Sequence, residues 1–151
     1  MKAVHQLVAR RFRILACLLV CSLQTACDKS SEAETRAAQE EAFRVNFGFA
    51  PPASVTEIQY ADHYQRGVVD GTYQEWLRCT YQAEVFDQMV SKNGYKRVGT
   101  TIITGPNRPK WWPGNAVGEY VRQGKEGASY VAHLWHDEKT GFVYWHQSWT
   151  D

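Results

Sequence analysis

His133, His136 and His146 crowd into one short stretch near the C-terminus, with Asp137 beside them and His63 earlier in the chain. Imidazoles joined by a carboxylate are ligands for zinc, so the first question is whether the chain brings three of them together. The stretch reads as a β-hairpin, with 128–135 and 142–149 flanking the turn at 136–141, and strand side chains alternate between faces. With His136 set across from Phe142, Ala132 faces His146 and His133 faces Trp145. No three histidines then share a face. The expectation is no metal and no cofactor, and His133, His136 and His146 are the set that a metal would need.

The same register puts Val131, His133, Trp135, Val143, Trp145 and Trp149 on one face, and Tyr130, Leu134, Phe142 and Tyr144 on the other. Neither face is polar. A helix accounts for one; the other is an aromatic surface on which a partner or a sugar ring could stack. Trp111 and Trp112 stand in a loop stiffened by prolines. The expected binding residues are therefore Trp111, Trp112, Trp135, Trp145, Trp149 and Tyr144, although core packing and loop anchoring account for the same set.

No nucleophile has a supporting context: there is no Gly-x-Ser-x-Gly turn, no phosphate-cradling glycine loop, no His-Glu-x-x-His helix and no Cys-x-x-Cys pair. Glu57, Asp62, Glu75 and Glu119 are candidates for a carboxylate pair of the kind that cleaves glycosidic bonds, but their separation is not a sequence property. The expectation is a protein that is not an enzyme. Cys79 lies in a strand-like run, where a lone cysteine is a small buried hydrophobe.

The elements that must position these groups follow from period and punctuation. Residues 54–64 and 72–81 read as strands forming an antiparallel pair around Gly67 and Asp70-Gly71. From 83 to 94 the period changes, with Val85, Phe86, Met89 and Val90 on one helical face and Asn93-Gly94 as the stop. Residues 97–104 are β-branched enough for a strand, 105–114 is a proline-rich loop, and 115–126 is ambiguous. The absence of βαβ alternation indicates an α+β fold, a two-layer sandwich of mainly antiparallel sheet with one main helix on one face.

The chain has 151 residues, with 17 basic and 16 acidic side chains. Four of the basic ones (Lys2, Arg10, Arg11, Arg13) precede residue 27 and every acid follows it, so the remainder carries thirteen basic and sixteen acidic groups, a charge of −3. That excludes a nucleic-acid binder, which needs a basic face. The opening has a basic start, an apolar run over 14–26 and an abrupt change to Asp28-Lys-Ser-Ser-Glu, the anatomy of an export signal. An apolar run of 13 residues is too short to cross a bilayer core. Residues 28–42 are charged and alanine-rich, and Ser31-x-x-Glu34 has capping-box spacing. The expected organisation is a signal peptide over 1–26, a tether over 27–42 that includes helical character, and one globular domain over 43–151.

Leu23-Gln-Thr-Ala-Cys27 resembles the lipobox of bacterial lipoproteins, in which small residues precede a cysteine that receives a diacylglycerol. Thr25 and Ala26 match, whereas Gln24 stands where the family has an apolar residue; ordinary cleavage, giving a soluble periplasmic protein, stays open beside it. The resemblance implies a lipid on Cys27, a membrane anchor without a span, a cell-envelope location facing the periplasm, and retention in the inner membrane through Asp28. The functional expectation is an anchored domain that binds an envelope partner, protein or glycan, through aromatic residues. The alternatives are a cell-wall or glycoside hydrolase using a carboxylate pair, and a structural assembly factor or toxin-neutralising inhibitor.

Overall fold

The computed structural model describes residues 28–66, 71–102, 108–113, 117–123 and 130–150; Cys27, the expected signal and the turn at 67–70 lie outside them. Seven strands, β1 (Asp28–Glu32), β2 (Gln59–Arg66), β3 (Gly71–Thr80), β4 (Lys96–Ile102), β5 (Val117–Gln123), β6 (Tyr130–Asp137) and β7 (Phe142–Thr150), form one sheet in the order β1-β2-β3-β7-β6-β5-β4. Every neighbouring pair is antiparallel. Among the described residues two helices, α1 (Arg36–Phe47) and α2 (Ala83–Lys92), complete the α+β architecture.

Alternation gives the sheet two faces. The first carries Leu77, Cys79, Leu134, Val143 and Trp145, and these pack with Phe43 and Phe47 of α1 and Val85, Phe86 and Met89 of α2 in the main core. Burying one ring such as Phe47 contributes roughly 2–3 kcal/mol. The second face carries Ala61, Trp76, Trp135 and Tyr144, which pack with Trp112 in a separate cluster.

The helix at 83–92 and the pairing of β2 with β3 follow the expected pattern. Gly94 takes a positive φ of 68° just beyond Asn93 at the end of α2, as its place in the sequence implies. Two expectations differ. The segment read as a tether is folded: 28–32 is a sheet strand paired with β2, and α1 starts after Thr35, whose hydroxyl accepts from Ala38 N at 3.2 Å, so Thr35 and not Ser31 caps it. Phe43 and Phe47 on the inner side of α1 make that helix part of the core.

The hairpin register differs by one residue. Asp137, not His136, stands across from Phe142, so His133 faces His146 and Leu134 faces Trp145. The expected division of faces is thereby exchanged on one strand: Trp135 shares a face with Tyr144, and Val143, Trp145 and Trp149 share the other with Tyr130 and Leu134. A one-residue slip moves every side chain of one strand relative to its partner, and a hairpin apolar on both faces carries no pattern that opposes it.

Candidate functional site

On the first face, the register lays side chains in three rows across the sheet. The innermost row is Tyr60, Leu77, Trp145, Leu134 and Tyr120, cross-strand partners in sequence. Trp145 is fully buried there, donates Nε1–H to the Tyr95 hydroxyl at 2.6 Å and meets Phe47 edge-on at 5.7 Å. Next comes a polar row of Asp62, Glu75, Gln147, Ala132 and Arg122. The outermost row is aromatic: Tyr64 beside Tyr73, Tyr73 beside Trp149 and Trp149 beside Tyr130. All four of these rings are half-buried. Tyr73 and Trp149 stack with centroids 4.3 Å apart and planes at 29°.

From Glu75 through Gln147 to Arg122 the polar row is linked by hydrogen bonds. Tyr60 donates to Glu75 Oε1 at 2.5 Å, and Gln147 donates to Glu75 Oε2 at 3.2 Å while accepting from Arg122 at 3.3 Å. Ala132, fully buried between Gln147 and Arg122 in register, leaves the room in which the guanidinium reaches across. That guanidinium also donates to Asn93 Oδ1 at 3.2 Å and lies 5.3 Å from the Tyr95 ring and 5.2 Å from the Tyr130 ring. Asp62 accepts from Tyr73 at 2.8 Å and from the Ser31 hydroxyl. Both tyrosines are held protonated, first by burial and then by the carboxylate each one bonds. Burial also pushes the Glu75 carboxyl above its ordinary value; the bond from Tyr60 opposes this and the charge on Asp62 adds to it.

At the edge of the aromatic row, the Tyr64 ring lies across Gly71. A Cβ at Gly71 would stand 2.6 Å from the Tyr64 hydroxyl oxygen, so the missing side chain is what lets the ring lie down. The result is a ledge of four rings, about 14 Å long at three strand spacings of about 4.8 Å, bordered by acids, an amide and a guanidinium.

The second face is differently built. Trp112, 6% exposed, is held by a turn in which its N–H donates to Pro109 O at 3.0 Å, and its ring packs edge-on against Trp135 (5.2 Å) and Tyr144 (5.7 Å). Trp135 and Tyr144 stack at 5.3 Å, and Arg78 lies 4.6 Å from the Phe142 ring and 5.8 Å from Trp111. Buried polar atoms without a hydrogen-bond partner gather on this face: Gln59 Oε1, Gln74 Oε1, Arg78 Nε, Trp112 Nε1, His133 Nδ1 and both nitrogens of His146.

The six residues expected to bind are therefore divided. Trp111, Trp112, Trp135 and Tyr144 come together on the second face as a packed cluster, Trp145 is core, and Trp149 alone is on the ledge. Of the expected histidines, His133 and His146 are opposite each other, while His136 is on the first face, stacked on Tyr81 at 3.6 Å. Among the described residues no three His, Cys, Asp or Glu side chains form a metal-holding group. Asp62 and Glu75, two of the four acids singled out, are direct cross-strand partners. Cys79 is fully buried and its thiol is pushed up to about 12 by burial, which makes it inert at neutral pH.

Sequence reasoning passed over Tyr60, Tyr64, Tyr73, Tyr130, Gln147 and Arg122. Their signal was present in part: Tyr60-x-Asp62-x-Tyr64 and Tyr73-x-Glu75-x-Leu77 are period-two patterns that put tyrosines and acids on one face of two strands already read as a pair. No known family, curated protein or solved structure matches the chain. No helix among the described residues is long and apolar enough to cross a membrane.

Proposed function

We propose that the chain is an envelope lipoprotein, anchored through Cys27 and facing the periplasm, whose domain binds a glycan along the ledge formed by Tyr64, Tyr73, Trp149 and Tyr130. In this reading the domain is a two-layer sandwich, with α1 and α2 covering one end of the first face and leaving the ledge at the other. The observation that carries it is the in-register row of four half-buried rings beside a fixed polar row. Sugar rings present an apolar face for stacking and a rim of hydroxyls for hydrogen bonding, and a site with apolar walls and a few oriented polar groups recognises both. Preorganisation supports the same reading, because Gln147 and Arg122 are already oriented by their neighbours.

The anchor fits the fold. β1 begins at Asp28, the residue after Cys27, so a lipid there holds the β1 edge of the sheet at the bilayer surface with no spacer between them. Asp28 favours the inner membrane.

Asp62 opposite Glu75 gives hydrolysis its one specific support, since burial raises the Glu75 carboxyl as a general acid requires. Yet all four carboxylate oxygens are occupied, by Ser31, Tyr73, Tyr60 and Gln147. Asp62, tied in this way, holds the ledge ring of Tyr73 in place, and the balance favours binding over cleavage.

Co-sedimentation with purified cell-wall sacculi tests the binding, alongside fatty-acid labelling of wild type and Cys27→Ser. Wild type should sediment and Trp149→Ala should stay in solution, with label lost only in Cys27→Ser. Equal sedimentation of wild type and Trp149→Ala, or label retained without Cys27, overturns the corresponding half.

A further inference from the structure

We infer that Arg78 and the turn carrying Trp111 and Trp112 form a binding site for a carboxylate borne on a small apolar body. This site lies on the second face and does not depend on the ledge. Arg78 stands near the end of β3, half-buried, with its guanidinium carbon 4.6 Å from the centre of the Phe142 ring and 5.8 Å from that of Trp111. The two rings steady the cation. They give its N–H groups no oxygen to donate to. Arg78 Nε is buried without a hydrogen-bond partner, and the ion pairs among the described residues lie elsewhere, between Arg36 and Glu40 and between Arg44 and Glu41.

The acceptors of this face do not serve it. Gln59, the direct cross-strand partner of Arg78, has a buried Oε1 that is itself unbonded. Asp137, two strands away in register, accepts instead from the Lys139 backbone N–H at 3.0 Å. A second donor stands alongside: Trp112 is 6% exposed, its ring is 6.0 Å from that of Trp111, and its Nε1–H has no acceptor. Buried donors in folded proteins almost always have a partner, and a charge drawn out of water without one is costlier still. Two unserved donors, one of them cationic, fit an anion.

Charge and shape narrow which anion. A carboxylate meets the edge of a guanidinium through two parallel hydrogen bonds, and its single charge balances the single cation. A phosphate monoester brings up to about two charges, more than Arg78 neutralises. The walls define the rest of the ligand. Trp111 and Phe142 are half-buried rings that pack with Trp112 and Tyr144 and still present apolar surface to solvent. Apolar walls with a few placed polar groups select an apolar body with one polar end.

The test uses the full chain in detergent, labelled with nitrogen-15 and titrated separately with sodium benzoate, benzamide and phenyl phosphate while the indole N–H signals are followed. Benzoate should bind with a dissociation constant below about 10 mM and move the Trp112 indole proton downfield as it gains an acceptor. The Trp145 indole, already bonded to Tyr95, should stay in place. Benzamide keeps the ring without the charge and should bind at least about tenfold more weakly, and phenyl phosphate should also bind more weakly than benzoate. Arg78→Gln should weaken benzoate at least about tenfold, and Arg78→Lys, which keeps the charge but not the fork, at least about threefold. Arg97→Gln removes an exposed cation on β4 and should change nothing. If circular dichroism shows Arg78→Gln unfolded, Trp111→Ala decides, with an expected loss of at least about threefold. An unmoved Trp112 signal, affinity for benzamide or phenyl phosphate as high as for benzoate, wild-type benzoate binding by a folded Arg78→Gln, or an equal loss in Arg97→Gln overturns the inference.

Discussion

Tyr73 and Trp149 stack across β3 and β7 at 4.3 Å, while the Tyr73 hydroxyl donates to Asp62 at 2.8 Å on the neighbouring strand. One end of the ring is thus fixed by a π-contact and the other by a charge-assisted bond. Tyr73→Phe keeps the stack and leaves Asp62 Oδ2 without its donor. The expected cost is about 1–2 kcal/mol in a urea melt, with glycan affinity within about threefold of wild type because the stacking surface survives. A stability loss accompanied by complete loss of binding contradicts that division of labour.

Gly71→Ala separates stability from function at the edge of the ledge. The new methyl must displace the Tyr64 ring, whose hydroxyl oxygen would otherwise be 2.6 Å away. The clashing atoms belong to the far end of the half-buried Tyr64 side chain, so the fold should lose no more than about 1 kcal/mol. Glycan binding should weaken at least about threefold as one of four rings leaves the row. Calorimetric melting and a binding titration on the same sample check both halves, and unchanged affinity removes Tyr64 from the site.

Trp145→Phe should do the reverse. Trp145 is fully buried and its N–H serves Tyr95 at 2.6 Å, so the smaller ring leaves a gap and an unserved hydroxyl, together costing about 2–4 kcal/mol. Below the melting temperature the ledge should bind as in wild type. A selective loss of binding without destabilisation would place Trp145 in the site.

Acid should weaken the fold through His146. Its folded-state value, about 4, lies below the ordinary 6.5, so between those pH values the unfolded chain takes up a proton that the native protein refuses. Stability contributed by the neutral ring is complete above pH 6.5 and is lost as pH falls toward 4, amounting to about 3 kcal/mol. His133, lowered by burial, acts in the same direction. Glu75 is raised by burial and therefore acts oppositely, its contribution lost as pH rises through its folded value. Urea melts at pH 7.5 and 4.5 should show the wild type losing more stability on acidification than His146→Gln; equal losses contradict the assignment.

Much of the scaffold was legible from the chain because local signals and tertiary contacts agreed. The β2–β3 pair and the β6–β7 hairpin follow from alternation and turns, and α2 from the spacing of Val85, Phe86 and Met89. β1 was not legible, since Asp-Lys-Ser-Ser-Glu has no strand preference and pairs only because the β2 edge offers it a ladder. β5, with Gly118, Glu119, Arg122 and Gln123, is weak for the same reason. The site was harder still. One residue of slip in the hairpin separates His133 from His146 and puts Trp135 on the face of Trp145, and nothing local decides between the two registers. Asp62 and Glu75 stood out as acids, but that they occupy one row with Gln147 and Arg122 depends on pairings among five strands.

The glycan-binding claim is tested most directly by titrating a soluble cell-wall tetrasaccharide into nitrogen-15-labelled protein and following the indole N–H signals. The Trp149 signal should shift with a dissociation constant below about 1 mM, the Trp145 signal should stay in place, and Trp149→Ala should bind at least about tenfold more weakly. An unmoved Trp149 signal at saturating sugar, or undiminished binding by Trp149→Ala, contradicts the account.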